Sequence, residues 1–95
     1  MRKYEVMFIV RPTIEEAAIK KVSEDIKSLF ENNGANIIDM KDMGQKELAY
    51  EIKKFKKGYY FLLTVEANTE AINEFNHVSN VNEDIIRSLV VKIED

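Results

Sequence analysis

Residues 44–61 read GQKELAYEIKKFKKGYYF, and this segment predicts a hairpin of two strands. Apolar and polar residues alternate in its first half, as on a strand with one buried face; the apolar residues there are Leu48, Tyr50 and Ile52. The lysine-rich residues from Lys53 to Gly58 form the predicted turn, and an apolar strand follows from Tyr59 to Ala67. Strands joined by so short a connection run antiparallel.

Three further features extend this pair into a larger sheet. Residues Ala35 to Lys41 begin the strand that enters the hairpin, and Gly44 within that run predicts a bulge or bend. Residues Tyr4 to Val10 are apolar and β-prone, with one charge, which predicts a central strand buried on most of both sides. Residues Ile85 to Ile93 form the predicted last strand.

Two helices are predicted between these strands. Thr13 and Glu16 have the spacing of a capping box at the start of the first helix, and Asn32-Asn33-Gly34 ends it with a left-handed cap. Asn68 and Thr69 can cap the second helix, and a loop from Asn80 to Asp84 follows it. Apolar residues recur at spacings of three and four on one face of each helix, namely Ile19, Val22, Ile26, Leu29 and Phe30, then Ala71, Ile72, Phe75 and Val78.

The predicted order of elements is therefore β-α-β-β-α-β. Each βαβ crossover is right-handed by strong preference, so both helices cover one face of a four-stranded antiparallel sheet. This is the α+β, ferredoxin-like split β-α-β arrangement, and residues 1–95 form one predicted domain. A fold of this kind does not by itself indicate a function.

Composition excludes several classes of protein. The chain has no Cys, which excludes disulfides and thiolate zinc sites, and we expect no metal or cofactor. No apolar run approaches the roughly 18 residues needed to span a bilayer, and the N-terminal residues lack the pattern of a signal peptide. We therefore expect a complete cytoplasmic protein with no membrane partner.

No set of residues has the pattern of a catalytic site. The single histidine, His77, is predicted to be a surface or capping residue late in the second helix, and no serine lies near it with an acid. Two acid pairs, Asp39 with Asp42 and Glu83 with Asp84, lack the other ligands of a calcium loop. The sequence therefore predicts neither an enzyme nor a small-molecule substrate.

The hairpin segment concentrates positive charge in an acidic chain. Residues 41–60 contain six lysines and three acids, a net charge of +3, whereas the whole chain has a net charge of −3. Lysines at a hairpin tip can simply be solvated and discourage edge pairing. They can equally contact phosphates, because attraction to a polyanion depends on the local field. These two interpretations remain open on composition alone.

The strand after the turn resembles part of an RNA-binding pattern. Residues 57–62, KGYYFL, resemble the third-strand motif of RNA-recognition domains, although Tyr60 and Thr64 replace residues expected there. Tyr59 and Phe61 could stack on bases or could lie in the core, and the apolar pattern favours the core.

Three groups of residues together resemble the bacterial small-subunit ribosomal protein six family. The first is MRKYEVMFIVRP at residues 1–12. The second is Gly44 followed by LAYEI at residues 48–52, a basic turn and GYY at residues 58–60. The third is DIIR at residues 84–87, opening a last strand that ends with VVK at residues 90–92.

This resemblance implies a ferredoxin-like structural constituent of the small ribosomal subunit. Family members bind the central domain of the small-subunit (16S) ribosomal RNA jointly with small-subunit ribosomal protein eighteen. By position, the resemblance implies that the RNA-contacting residues are Arg2, Lys3, Lys46, Lys53, Lys54, Lys56, Lys57 and Arg87.

The chain departs from the family pattern at one position of this set. Relatives usually carry consecutive basic residues directly before the Leu-Ala-Tyr motif, whereas this chain has Glu47 there, which repels phosphate. The turn lysines then carry more of the RNA contact.

The fold alone also allows a different function, that of a homodimeric regulatory or ligand-binding module.

Overall fold

The computed structural model describes residues 1–94 and contains six regular elements. In chain order they are β1 Arg2–Val10, α1 Glu16–Asn32, β2 Asn36–Ile52, β3 Phe55–Ala67, α2 Thr69–Val81 and β4 Ile85–Glu94. All pairings are antiparallel, and the order of strands in the sheet is β2-β3-β1-β4. This confirms the predicted α+β, ferredoxin-like fold. The predicted domain boundary at Asp95 lies outside the described residues.

Strand β1 lies in the interior of the sheet, as its apolar sequence predicts. It pairs with β3 on one side and with β4 on the other. Its alternate residues Val6, Phe8 and Val10 are fully buried beneath the helices. Met7 and Ile9 lie on the opposite side of the sheet, which we call the open face because neither helix covers it.

The core between the helices and the sheet is built around aromatic side chains. Phe8 stacks on Phe61 with ring centroids 5.2 Å apart, and Phe30 of α1 stacks on Phe75 of α2 at 5.6 Å. Burying one such side chain stabilises the fold by about 2–3 kcal/mol. Both predicted apolar stripes face this core, which confirms the helix periodicity. Among residues 1–94, no helix is long and apolar enough to cross a membrane.

The cap predicted for α1 is wrong, whereas Asn68 does occupy the N-cap position of α2 as predicted. Helix α1 begins at Glu16 with Glu15 as its N-cap, and no side chain caps it. The Thr13 hydroxyl instead accepts a hydrogen bond from Arg11 at 3.5 Å, because residues 11–15 turn before the helix begins. Asn68 caps α2 through its backbone carbonyl rather than its side chain. The C-terminal prediction is confirmed, since Gly34 has a φ of +77° directly after α1.

Strand β2 runs without a break from Asn36 to Ile52, as the prediction of one strand containing Gly44 requires. Its register shifts by one residue between Asp42 and Gly44, and Gly44 has a φ of +76°, which confirms the predicted bulge. A larger irregularity follows, because β2 advances five residues from Glu47 to Ile52 while β3 advances only two. The surplus residues let the end of β2 curl away from the plane of the sheet.

Gly58 marks the place where this curled segment passes closest to the sheet. A Cβ added to Gly58 would overlap the Cγ2 methyl of Ile9 and would lie 3.6 Å from Leu48. Ile9 is only 2% exposed although it lies on the open face, because the end of β2 covers it.

We expect Gly58→Ala to lower the free energy of unfolding by about 1–3 kcal/mol, the usual cost of overpacking a core. Urea denaturation measures this cost directly. The substitution should cost less in an Ile9→Ala background, where the overlapping methyl is gone. Equal costs in the two backgrounds would contradict the contact between these two residues.

Candidate nucleic-acid interface

The hairpin ends in a two-residue turn whose residues are both lysines. Ile52 pairs with Phe55, so Lys53 and Lys54 alone connect the strands, and their φ angles are +49° and +71°. Such turns favour Asn and Gly, and each left-handed lysine costs about 1 kcal/mol. The predicted turn from Lys53 to Gly58 is therefore too long, because Phe55 and the residues after it already belong to β3.

Four lysines occupy this end of the hairpin, and we call them the hairpin tip: Lys53, Lys54, Lys56 and Lys57. All four are exposed, and Lys56 and Lys57 alternate between the two sides of β3. Within residues 1–94, none of the four forms a salt bridge. Lys57 lies opposite Glu47 in the ladder, which lowers the local charge at that pair. The hairpin tip therefore presents four ammonium groups to solvent over five residues of chain.

Arg87 is brought to the hairpin by a contact that crosses the sheet. Its guanidinium donates a hydrogen bond of 2.6 Å to the Tyr50 hydroxyl and lies 5.9 Å from the centroid of the Tyr50 ring. Two strands separate β2 from β4, so this contact exists only because the end of β2 curls over the open face. A shallow cavity of about 200 Å³ lies beneath this contact, and its lining includes Leu48, Ala49, Tyr50 and Ile52.

The structure brings six of the eight predicted site residues to one region. Lys46 pairs with Gly58 at the base of the hairpin, next to the pair of Glu47 with Lys57, and is exposed there. Arg87 joins this end of the sheet through its contact with Tyr50. Arg2 and Lys3 are at the far end of β1, where they pair with Ala67 and Glu66. Eight residues of extended strand separate them from the hairpin end of β1, a distance of roughly 25 Å.

Two aromatic residues that resembled an RNA-stacking motif lie on the helix side of the sheet. Phe61 is 4% exposed in the core, and Tyr59 packs against the same core. The Tyr59 hydroxyl donates a hydrogen bond of 3.2 Å to Asp42. Burial raises the pKa of Tyr59 above its usual value, and the contact with Asp42 and the charge of Glu16 raise it further. The core position that the apolar pattern predicts for Tyr59 and Phe61 is therefore confirmed.

The residues considered as catalytic or metal-binding candidates do not form a common site in the described chain. His77 is exposed on α2, and the part of the chain that the structure describes holds no group of acids and histidine able to bind a metal ion. Asp84 instead forms a salt bridge of 2.7 Å with Arg11, which ties the end of β1 to the start of β4. Asp42 accepts hydrogen bonds from Gly44 and Tyr59.

The sequence is similar to known proteins over nearly its whole length. Residues 3–92 match the protein family described as ribosomal protein S6. The chain belongs to the ribosomal protein S6 family. It is 51% identical over 94 residues to small ribosomal subunit protein bS6 of Shouchella clausii (strain KSM-K16), a match that covers 99% of both chains.

A solved structure of the S6 family has the same fold. The crystal structure of 30S ribosomal protein S6 from Thermotoga maritima matches with a TM-score of 0.93 and 30% sequence identity, covering 97% of this chain and 87% of that one. Members of the S6 family are structural components of the small ribosomal subunit in the cytoplasm and are not enzymes. The family resemblance and the non-enzymatic interpretation are thus confirmed.

Proposed function

We propose that this S6 family member binds the central domain of the small-subunit ribosomal RNA jointly with small-subunit ribosomal protein eighteen. The observation that carries the RNA part is the hairpin tip, where four exposed lysines, none of them in a salt bridge among residues 1–94, extend from an otherwise acidic chain. Family membership favours this function over a homodimeric regulatory module.

The proposed RNA surface consists of the hairpin tip with Lys46 and Arg87. Ammonium groups on a mobile stem neutralise backbone phosphates without reading sequence, which suits a folded RNA recognised by shape. Arg87 is held in place by Tyr50, so its planar guanidinium is already oriented toward the same region. We further propose that Arg2 and Lys3 contact a separate segment of RNA, because they lie at the other end of the sheet.

The proposed surface for the protein partner is the open face of the sheet. Leu89 and Val91 of β4 are 47% and 43% exposed, and each lies beside a β1 residue of the same face. Met7 lies between Leu89 and Leu62 in the sheet, so apolar side chains are contiguous across three strands. A continuous exposed apolar surface of this kind is typical of protein interfaces.

We expect Leu89→Glu to weaken the complex with protein eighteen at least about tenfold, because a buried carboxylate at the centre of an apolar interface stays unpaired. Isothermal titration calorimetry with the two purified proteins measures the effect. Val81→Glu is the matched control, since Val81 is 64% exposed at the end of α2, away from the open face. Equal losses for both variants would contradict the proposed surface.

A further inference from the structure

A cavity of about 390 Å³ opens between α1 and the β2 edge of the sheet, on the side opposite the open face. Its floor is apolar and includes Ile19 and Phe61, which are 7% and 4% exposed. Its rim is polar and includes Glu16, Asp42 and the Tyr59 hydroxyl. Volume and lining are those of a site that accepts a side chain or small ligand. The proposed RNA and protein contacts leave this cavity unused.

The Asp42 carboxylate is held in a fixed position at the rim. One of its oxygens accepts a hydrogen bond of 3.0 Å from the Gly44 backbone, and the other accepts one of 3.2 Å from Tyr59. The bulge at Gly44, with its left-handed backbone, turns that N–H toward Asp42. A carboxylate held by two donors keeps its orientation before any ligand arrives.

The rim carries more negative than positive charge. Glu16 lies in the first turn of α1, and its carboxylate and that of Asp42 both lie near enough to raise the pKa of Tyr59. Lys20 is the single cation among the lining residues, against these two carboxylates. No salt bridge between Lys20 and either acid occurs in the described chain. The cavity therefore complements a cation and repels a phosphate.

We propose that this cavity receives an arginine side chain from a basic segment of a partner protein, as a second protein contact distinct from the open face. A guanidinium on an apolar stem matches a rim of carboxylates above an apolar floor, and it stacks favourably near an aromatic ring such as Tyr59. The cavity lies at the edge strand β2, along which an extended segment can run.

The test uses N-acetyl-arginine methylamide as the probe and NMR of the intact chain as the readout. The neutral citrulline analogue, which has nearly the same shape, is the matched ligand. We expect the arginine probe to shift the Gly44 amide and the Tyr59 ring with one saturating curve and a Kd on the order of 1 mM. The citrulline analogue should bind at least about threefold more weakly, because it cannot pair with the carboxylates.

Two substitutions locate the binding. Glu16→Gln and Asp42→Asn should each weaken the arginine probe roughly two- to fivefold, the range for exposed ion pairs. Glu24→Gln removes an equal charge from an exposed α1 position outside the cavity and should leave the Kd unchanged. The Glu16 side chain forms no hydrogen bond within the described residues, so Glu16→Gln should not disturb folding.

Equal binding of the arginine and citrulline probes would overturn the proposal, as would shifts spread over the surface rather than centred on the cavity. Saturating shifts of the Gly44 amide with inorganic phosphate would also overturn it, in favour of an anion site. These titrations contain no RNA, so a negative result would contradict the arginine site without contradicting the proposed RNA binding.

Discussion

Reversing the charge of the hairpin tip is expected to lower affinity for the central-domain RNA at least about a hundredfold. The variant carries Lys53→Glu, Lys54→Glu, Lys56→Glu and Lys57→Glu. Each lysine that contacts a phosphate releases a counterion, so losing four contacts should also reduce the slope of log K against log salt by roughly 3. Filter binding or fluorescence anisotropy over a salt series, with protein eighteen present, measures both quantities.

A control variant separates the local charge from the total charge. The control changes four lysines that lie away from the hairpin tip to Glu: Lys20, Lys21, Lys27 and Lys41. Each variant loses eight charge units, so both have a net charge of −11 instead of −3. We expect this control to weaken RNA binding far less and to keep the salt slope. If both variants lost affinity and slope equally, the hairpin tip would be only a solvated turn. Circular dichroism establishes that both variants are folded.

The second large effect is the dependence of RNA affinity on the protein partner. The chain alone is acidic, and outside residues 41–60 its net charge is −6, so long-range repulsion opposes the attraction at the hairpin tip. We expect saturating protein eighteen to raise RNA affinity about a hundredfold, a coupling free energy of about 2.7 kcal/mol. Titrating labelled central-domain RNA with this chain, with and without the partner, measures that factor.

Two further results follow from the same coupling. Linkage requires RNA to raise the affinity between the two proteins by the same factor. Leu89→Glu, which is expected to weaken the protein complex, should remove most of the enhancement at moderate partner concentration. Equal RNA affinities with and without the partner would contradict the proposed joint binding.

The six elements and their order could be predicted because each one has a local signal. Apolar spacing in the helices and alternation in the strands depend only on neighbours along the chain, and both core stripes lie where their spacing indicates. The left-handed Gly34 and the Gly44 bulge were also predictable, since glycine adopts such backbone at low cost. The cap at Thr13 failed because the chain turns for two more residues before α1 begins.

The geometry of the candidate site could not be predicted in the same way. The left-handed turn at Lys53 and Lys54 contradicts local preference and follows from the pairing of Ile52 with Phe55. The contact between Tyr50 and Arg87 joins residues 37 positions apart, across two intervening strands. No spacing rule signals a contact of that kind, although Gly58 indicates a close approach. The hydrogen bond between Asp42 and Tyr59 is likewise a consequence of strand register.

The most direct test of the proposed RNA contact is the reactivity of lysines toward acetylation, compared between the free protein and small subunits that contain it. Mass spectrometry then reports each lysine separately within one sample. We predict that Lys53, Lys54, Lys56 and Lys57 react far more slowly in the assembled subunit, whereas the exposed α1 lysines Lys21 and Lys27 react at nearly unchanged rates. Unchanged reactivity of all four hairpin-tip lysines in the subunit would contradict the account.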